Sequence, residues 1–324
     1  MFLALDAGGT STRAALVDPA GRCLGYGRAG GGNPTSAGIE NAVAAAGQAA
    51  EQALAGAGDA GTGPTPAVIA MAGEKTAAFR ELIAARLAAL GVGRVLLEPD
   101  LLGIFHSGTH LRDGYAMVAG TGTAAVRVVG GRLDQVAGGR GWLLGDAGGG
   151  YWIGHQVVRA VVAALDGQGP PTVLTERLLA SLDITDTTDS SAGRIQVLRQ
   201  LVSTLYAWRP VQLSRFAPLA FAVPEDPVAR EILIAASSAL TDLLSAVHDP
   251  ELAGPIVVGG SVLIHGLLAA PAGVRFVLPA DMGGVIPVAD GVVGAAVLVL
   301  RNAGIDVDAT LFENLRAGIA ARSV

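Results

Sequence analysis

The sequence predicts an α/β protein with two lobes, and three observations support this prediction. Its 324 residues exceed the usual size of one compact core, so two domains are expected. Short apolar runs typical of buried strands alternate with longer Ala- and Leu-rich segments of helical spacing. A strand–turn–strand pattern rich in Gly and Thr also occurs twice, over residues 2–18 and over residues 115–129. We therefore expect a duplicated architecture in which one hairpin opens each lobe.

The second hairpin marks the predicted boundary between the lobes. An N-terminal lobe over residues 1–114 would contain the first hairpin, and a C-terminal lobe over residues 115–324 would contain the second. Each hairpin is followed by a further turn in which Gly precedes Arg, which strengthens the likeness of the two halves. We expect the last helix of the chain to pack back on the N-terminal lobe.

The remaining segments supply helices and strands around the hairpins. Residues 56–66 are rich in Gly and Pro and are predicted to be a linker. Helical spacing predicts helices over residues 39–55, 76–90, 151–165, 171–182, 192–206, 226–248, 288–300 and 308–321. Apolar runs predict strands over residues 67–72, 95–98, 255–259 and 274–278.

Composition excludes several classes of function. The net charge of −6 and the lack of a basic run argue against nucleic acid as the main partner. A single cysteine, Cys23, cannot form an internal disulfide or a cysteine-held zinc or iron–sulfur site, and we expect it to pack on a strand. The N-terminus lacks a signal-peptide pattern, and Gly and Pro interrupt the best apolar candidate span, residues 253–274. The sequence predicts a soluble cytoplasmic protein.

The glycine-rich turns are candidate phosphate sites of a particular kind. A Walker A loop is excluded because the only lysine, Lys75, follows Glu74 rather than a glycine. A hairpin can instead turn backbone N–H groups toward phosphates, and Gly is what allows such a turn. The first hairpin offers this chemistry with hydroxyl groups beside it, and Asp6 at its strand end is a candidate to hold Mg²⁺ through water. The candidate phosphate-binding residues there are Gly8, Gly9, Thr10, Ser11 and Thr12. An ordinary hairpin turn is the alternative.

Two later turns have the same composition. The second hairpin offers Gly120, Thr121, Gly122 and Thr123, and it also matches the dinucleotide pattern Gly-x-Gly-x-x-Ala. That pattern requires a helix next, but strand-like residues follow, which favours a second phosphate hairpin. A third candidate site is the end of an apolar strand at Gly259, Gly260 and Ser261. The helix that begins there could expose its first backbone amides to a nucleotide. A close-packed corner is the alternative reading of this third motif.

With three glycine loops in this order, the chain resembles the actin-like ATPase superfamily, whose fold is a duplicated ribonuclease H-like unit with an interlobe cleft. Within it, the chain resembles the N-acetylglucosamine kinase and BadF/BadG/BcrA/BcrD ATPase family. Residues 6–13, Asn33, Asp100, 119–123 and 141–154 carry the resemblance, and the last segment is the most family-specific. The resemblance implies ATP and Mg²⁺ as cofactors, an amino sugar phosphorylated at O6, and a homodimer.

The resemblance also implies roles for residues on the sugar side. Asp100 corresponds to the catalytic base, and a carboxylate at a strand end beside a cleft could accept a hydroxyl proton. Its alternative is a helix cap or turn carboxylate after Pro99. The corresponding sugar contacts are Asn33, Gly73, Asp100, Gly145 and Asp146; an Asn-Pro turn and a capping Asp are the alternatives for Asn33 and Asp146.

The chain departs from the family pattern at several sugar-side positions. Ala147 and Gly149 stand where a carboxylate and a hydroxyl are common, Ala124 replaces Asn, and Arg140 replaces Trp, with Trp142 two positions later. The particular amino sugar is therefore left open. A BadF-type ATPase without sugar kinase activity and a non-catalytic nucleotide or sugar sensor remain as alternatives, although one cysteine cannot hold the iron–sulfur cluster of the dehydratase activators.

Overall fold

A computed structural model describes residues 1–56, 65–185, 190–191, 194–278, 282 and 284–323. Most strands belong to two five-stranded sheets. The first sheet contains β1 (Phe2–Ala7), β2 (Thr12–Val17), β3 (Cys23–Ala29), β4 (Thr65–Met71) and β5 (Val92–Pro99). The second contains β6 (Gly114–Ala119), β7 (Thr123–Val129), β8 (Arg132–Gly138), β11 (Ile256–Gly259) and β12 (Val285–Pro287). Between β8 and β11 in the chain, β9 (Ser190–Ser191) and β10 (Arg194–Ile195) form a short separate ribbon.

The two sheets repeat one topology. Their strand orders are β3-β2-β1-β4-β5 and β8-β7-β6-β11-β12. In each, the central strand pairs antiparallel with its hairpin partner and parallel with the strand on its other side: β1 with β2 and β4, β6 with β7 and β11. The predicted duplication is confirmed, and each glycine turn lies at the carboxyl end of a central strand.

Helices cover and join the sheets. In the first half they are α1 (Pro34–Ala37), α2 (Ile39–Ala55), α3 (Ala77–Ala88), α4 (Asp100–Gly108), α5 (Gly141–Leu144) and α6 (Gly150–Leu165). In the second half they are α7 (Leu174–Ser181), α8 (Gln196–Tyr206), α9 (Ala217–Phe221), α10 (Pro227–Ser245), α11 (Val292–Asn302) and α12 (Ala309–Ala320). A 3₁₀-helix covers Pro210–Phe216 and a π-helix covers Val262–Leu267.

The structure corrects one predicted strand. Residues 274–278 form turns and extended loop, although Val274 and Phe276 are buried in the core of the second lobe. The Phe276 N–H donates to the Leu267 carbonyl, so this segment is buried by packing rather than by strand pairing. The outer neighbour of β11 is β12. This strand has three residues and none is buried, so no apolar run in the sequence predicts it.

Three helices begin later in the chain than predicted. The helix predicted from residue 288 begins at Val292, because Asp290 and Gly291 form the turn before it. The helices predicted from residues 171 and 192 begin at Leu174 and Gln196. Most of the predicted linker, residues 57–64, lies outside the described residues.

Two helices lie between the sheets. Helix α4 packs on β6 and β11 of the second sheet, α11 packs on β1 and β4 of the first, and the two helices pack on each other. Glycine permits their close approach, because a Cβ on Gly294 would lie 1.8 Å from the Gly103 carbonyl oxygen. This crossing brings the beginning of α11 to the end of β1, beside the first glycine turn.

The last helix contacts the first sheet. A Cβ on Gly318 in α12 would lie 3.2 Å from the Cys23 nitrogen on β3, and Cys23 is buried there. Asn314 Nδ2 donates to the Ala20 carbonyl at 3.5 Å. The end of the chain therefore returns to the hairpin edge of the first sheet, while the boundary between residues 114 and 115 stays a prediction. Within the described part of the chain, no helix is long and apolar enough to span a membrane.

Candidate active site

The first glycine turn joins β1 to β2 and has an exposed tip. The Gly8 N–H donates to the Ser11 carbonyl at 3.0 Å, which closes the turn. Gly9 and Thr10 lie exposed at the tip, and the Ser11 hydroxyl accepts a hydrogen bond from Arg13 Nη1 at 3.0 Å. A ligand can therefore approach the backbone at the tip, as a phosphate-binding hairpin requires.

A loop after β3 holds this turn in place. The Thr12 hydroxyl is fully buried and donates to the Gly30 carbonyl at 2.8 Å, so it supports the loop rather than facing the open tip. The Gly32 N–H donates to the Gly8 carbonyl at 2.9 Å. A Cβ on Gly31 would lie 2.5 Å from the carbonyl oxygen of Gly9. Close packing against the hairpin backbone thus requires glycine at residue 31.

The structure brings together two predicted sugar contacts, Asn33 and Gly73. Asn33 caps α1, and its Oδ1 accepts the Thr35 N–H at 2.9 Å. Gly73 has φ of +85°, and a Cβ on it would lie 2.4 Å from Asn33 Oδ1. Glycine is therefore required at residue 73 both by its backbone conformation and by the neighbouring amide.

The second glycine turn, between β6 and β7, is joined to the beginning of α6. The Gly120 N–H donates to the Gly122 carbonyl at 3.0 Å within the turn. The first amides of α6, on Gly150 and Tyr151, donate to the carbonyls of Gly120 and Thr121 at 2.7 and 3.0 Å. These bonds satisfy helix amides that would otherwise lack partners and fix the turn against the helix.

Asp146 is held against this second turn. Its Oδ1 accepts the Thr123 N–H at 3.2 Å, and a Cβ on Gly122 would lie 2.5 Å from its Oδ2. Asp146 does not cap α6, whose N-cap is Gly149 without a side-chain bond. Its φ of +61° is uncommon for a residue with a side chain, and such conformations concentrate at functional sites. Partial burial raises the pKa of Asp146, while the Thr123 N–H opposes this rise.

Gly145 and Trp142 stand before Asp146 in the chain. The Gly145 N–H donates to the Gly141 carbonyl at 2.9 Å and ends α5. The Trp142 ring is 39% exposed and packs edge-on against Tyr151, with the ring centroids 5.4 Å apart. The exposed Trp142 ring therefore precedes Gly145 and Asp146 on the same segment between β8 and α6.

The third glycine motif contacts the second hairpin and opens on a cavity. Gly260 has φ of +90°, and a Cβ on it would lie 2.4 Å from the Ala119 carbonyl oxygen. The cavity beside it has a volume of about 300 Å³ and lies between the second hairpin, the π-helix and α9. Its walls include Gly120, Thr121, Gly150, Arg215, Phe221, Ser261 and His265. A mixed polar and aromatic cavity that borders a phosphate-type turn is suited to the ribose and base of a nucleotide.

Asp6 lies at the junction between the first hairpin and α11. It is buried, its Oδ2 accepts the Gly291 N–H at 3.0 Å, and Arg13 Nη1 lies 3.9 Å away. The same arginine forms a closer ion pair with Asp290, 3.1 Å from Nε to Oδ2. Burial raises the pKa of Asp6 to about 7, and the negative charges of Asp290 and Asp100 add to the rise, against the Gly291 N–H and Arg13.

Asp100 begins helix α4 at the end of β5. It is the first helical residue after the N-cap Pro99, and its Oδ1 accepts the Leu101 N–H at 2.9 Å. Burial raises the pKa of Asp100, while the Leu101 N–H and the positive charge of Lys75 oppose the rise. The helix N-terminus also favours a negative charge at this position. A partly desolvated carboxylate of this kind is suited to accepting a proton.

The acidic residues fit a magnesium ion used together with nucleotide phosphates. Mg²⁺ keeps several waters and takes one or two carboxylates, and a nearby dication would favour the ionised form of the buried Asp6. Among the residues that the structure describes, no three His, Cys, Asp or Glu side chains converge as a metal cage. Asp6 is therefore the residue that would hold the ion, through water, with Asp290 and Asp100 contributing negative charge nearby.

Sequence reasoning missed several residues that line the site. Asp290 lies near Asp6 only because α11 crosses α4, so no local pattern could place it there, whereas Arg13 faces Asp6 across the first hairpin. Arg215, Phe221 and His265 reach the nucleotide-sized cavity from the 3₁₀-helix, α9 and the π-helix, and no helix was predicted over residues 207–225. The signal available was weak: an Asp-Gly pair before an apolar helix at residues 290–291.

Two sheets of identical topology, each with a glycine hairpin on its central strand, define the actin-like ATPase fold. A match to the BadF/BadG/BcrA/BcrD ATPase family covers residues 3–299. The chain belongs to this family.

Individual relatives carry names of sugar kinases. The N-acetyl-D-glucosamine kinase of Dictyostelium discoideum is 32% identical over 185 residues, 53% of this chain and 54% of that protein. The chain thus spans about half the length of that relative. Glucosamine kinase GspK of Vibrio cholerae is 27% identical over 76% of this chain and 80% of its own. A crystal structure assigned as an N-acetylglucosamine kinase of Chromobacterium violaceum superposes with a TM-score of 0.70, at 22% identity over 92% of this chain and 98% of that chain.

Proposed function

We propose that this protein is an ATP-dependent hexosamine kinase that transfers the γ-phosphoryl group of ATP to a hydroxyl of N-acetylglucosamine or glucosamine, at O6. The observation that carries the proposal is the pair of glycine hairpins on duplicated sheets, with Asp100 at the beginning of a helix between those sheets. The names of the Dictyostelium and Vibrio relatives support an amino sugar as the acceptor.

In this proposal the two hairpins bind the phosphates. The exposed tip at Gly9 and Thr10 and the second turn at Thr121 and Gly122 would offer backbone amides to the phosphate oxygens. The nucleoside would occupy the cavity beside Gly260 and Ser261. Because the first turn is fixed by the loop after β3 and the second by α6, both amide sets are positioned before ATP binds.

On the sugar side, Asn33, Gly73, Gly145 and Asp146 would orient the acceptor. Asp100 would take the proton of the attacking hydroxyl, and the raised pKa of this carboxyl would make it a better proton acceptor than an exposed aspartate. Mg²⁺, when bound with ATP near Asp6, would neutralise charge on the phosphates. Closing the lobes over the site would exclude water and limit ATP hydrolysis.

The proposed base is tested by Asp100→Asn, which keeps the size of the side chain and removes its basicity. We expect sugar phosphorylation to fall by about 10²- to 10⁴-fold, the usual contribution of a general base. ATP binding should remain near wild type, because Asp100 belongs to the acceptor side. Coupled detection of ADP over a panel of hexoses and hexosamines measures the first quantity, and calorimetric titration of ATP measures the second.

Exposed Asp113→Asn, on the loop after α4, serves as the matched control and should retain activity. Unchanged phosphorylation in Asp100→Asn would show that another group takes the proton. ATP turnover without any sugar dependence in the wild type would favour the alternative of a BadF-type ATPase. Binding of ATP or sugar without ADP formation would favour a sensor, which the altered residues Ala147 and Gly149 make worth testing. Light scattering of the purified protein tests the homodimer that we also propose.

A further inference from the structure

A cluster of arginines surrounds a cavity that shares no residue with the candidate active site. The cavity has a volume of about 410 Å³. Its walls come from the end of β5, the first turn of α4, the loop after α4, the β7–β8 turn with the start of β8, and the last part of α11, so elements of both sheets contribute. The lining residues with charged or amide side chains are Glu98, Arg112, Arg132, Arg301 and Asn302.

Positive charge predominates in the lining, with three guanidinium groups against one carboxylate. Arg112 pairs with Asp306 at 3.6 Å, but the Asp306 side chain is 84% exposed and outside the lining, so solvent screens this pair. In the described part of the chain, Arg132 and Arg301 have no ion-pair partner. Asp113, next to Arg112 in the chain, accepts the Gly130 N–H at 2.6 Å and is not part of the lining.

Arg301 is held in a fixed orientation with unused hydrogen-bonding capacity. Its Nη2 donates to the His110 carbonyl, and its Nη1 lies 3.3 Å from His106 Nδ1. His106 is fully buried, and burial and the Arg301 charge lower its pKa to about 3, so it stays neutral and does not offset the guanidinium charge. Arg301 Nε is buried and has no hydrogen-bond partner among the described residues. A buried donor is normally satisfied, so this guanidinium retains hydrogen-bonding capacity that the described residues do not use.

The chemistry of these groups selects a phosphate dianion. Guanidinium groups remain charged and bind phosphate oxygens in a planar, two-pronged geometry. The cavity is larger than inorganic phosphate alone, and Glu98 and Asn302 could bind hydroxyl or amino groups of an attached sugar. We propose that this arginine cavity binds a phosphate dianion, either free or esterified to a small sugar. The proposal does not depend on the kinase activity.

The position of the cavity suggests a consequence for the active site. Pro99, in its wall, directly precedes Asp100. A ligand there would contact both β5 and the β7–β8 turn, which belong to different sheets. It would therefore favour the relative position of the two lobes in which both walls contact it.

The experiment is a calorimetric titration of two probes, inorganic phosphate and glucosamine 6-phosphate, into the full chain. The variants are Arg132→Gln, Arg301→Gln and, as a matched control, the exposed Arg199→Gln on α8. We expect about tenfold weaker binding in Arg132→Gln and Arg301→Gln, because each loses charge-assisted hydrogen bonds, and wild-type binding in Arg199→Gln. Arg132 is exposed, so its variant should keep the wild-type Tm and remains informative if Arg301→Gln fails to fold.

Glucosamine 6-phosphate could also enter the cleft, so its titration is repeated in Asp146→Asn. Binding that survives Asp146→Asn and weakens in Arg132→Gln supports the arginine cavity. If the arginine variants lose affinity for inorganic phosphate alone, the site is assigned to the free anion. If they lose affinity for both probes, it is assigned to the sugar phosphate as well. Absence of binding in the wild type, or equal affinity in Arg132→Gln, Arg301→Gln and the wild type, overturns the proposal.

Discussion

At the scale of single residues, the candidate site depends on a few carboxylates held in different surroundings. Asp6 is buried at a lobe junction, Asp100 begins a helix, and Asp146 is fixed on a glycine turn. Burial raises the pKa of each, but the opposing groups differ: Arg13 for Asp6, Lys75 for Asp100. Environments that differ in this way let residues of one type take different roles.

Lys75, the only lysine in the chain, gives a pH-dependent prediction. Its positive charge lowers the pKa of Asp100, so removing the charge in Lys75→Met should raise that pKa. If the Asp100 carboxylate is the base, activity is lost as pH falls through its pKa, and the acid limb of kcat/KM should move to higher pH. At a fixed pH on this limb, the variant should be several-fold less active, since each pH unit of displacement corresponds to tenfold.

The measurement is the pH profile of sugar phosphorylation in the wild type and the variant. Arg94→Met, which removes an exposed positive charge from β5, is the control and should leave the profile in place. An acid limb at the same pH in Lys75→Met would mean that Asp100 is not the titrating group, or that Lys75 does not influence it.

At the scale of elements, the crossing of α4 and α11 places the site. Helix α11 begins at Val292, beside Asp6, and α4 begins at Asp100, and the two helices approach closely where both carry glycine. The nearest atoms to a Cβ on Gly294 are backbone atoms of α4, which cannot rotate away as a side chain can.

We predict that Gly294→Ala destabilises the protein by about 1–3 kcal/mol, because overpacking at a backbone contact outweighs the improved helix propensity. Gly47→Ala, inside α2, is the matched control: its Cβ would meet only the side chain of Arg86, which can move. Urea unfolding of both variants gives the comparison. A Gly294→Ala variant as stable as wild type would show that the helices can separate without cost.

At the scale of the whole molecule, α12 closes the chain on the first sheet. Cys23 is buried beneath it, and burial raises the pKa of the thiol. The only cysteine is therefore a natural reporter of whether the C-terminal helix is seated.

We expect Cys23 to react with a thiol reagent only slowly in the native protein. Gly318→Val should displace α12, because a Cβ at residue 318 already lies 3.4 Å from the Cys23 Cβ and 3.2 Å from its nitrogen. The reaction should then quicken by about an order of magnitude, since the thiolate is the reactive form and burial disfavours it. Gly284→Ala, at a position with open space around it, should react like wild type. Equal rates in Gly318→Val and wild type would refute the reporter role of Cys23.

Local patterns were sufficient for the strands and turns that contain their own signal. The glycine turns at Gly8 and Gly120, the strand before Gly260, and helix α2 all follow from residue spacing, because turn geometry and helix periodicity are properties of neighbouring residues. The strand predicted over residues 274–278 was wrong, although it rested on an apolar run like those of the strands that were predicted correctly. An apolar run reports burial, and burial can come from packing on helices as well as from a sheet.

The sequence by itself determined the duplicated α/β fold, the glycine hairpins and the family of this protein. Only the tertiary structure decided which carboxylates share an environment, that Asp146 is bound to the second turn, and that three arginines surround one cavity. The physical reason is distance along the chain. Asp6 meets Gly291, and Arg301 meets His106, through helix crossings, and residue spacing contains no information on contacts of that range.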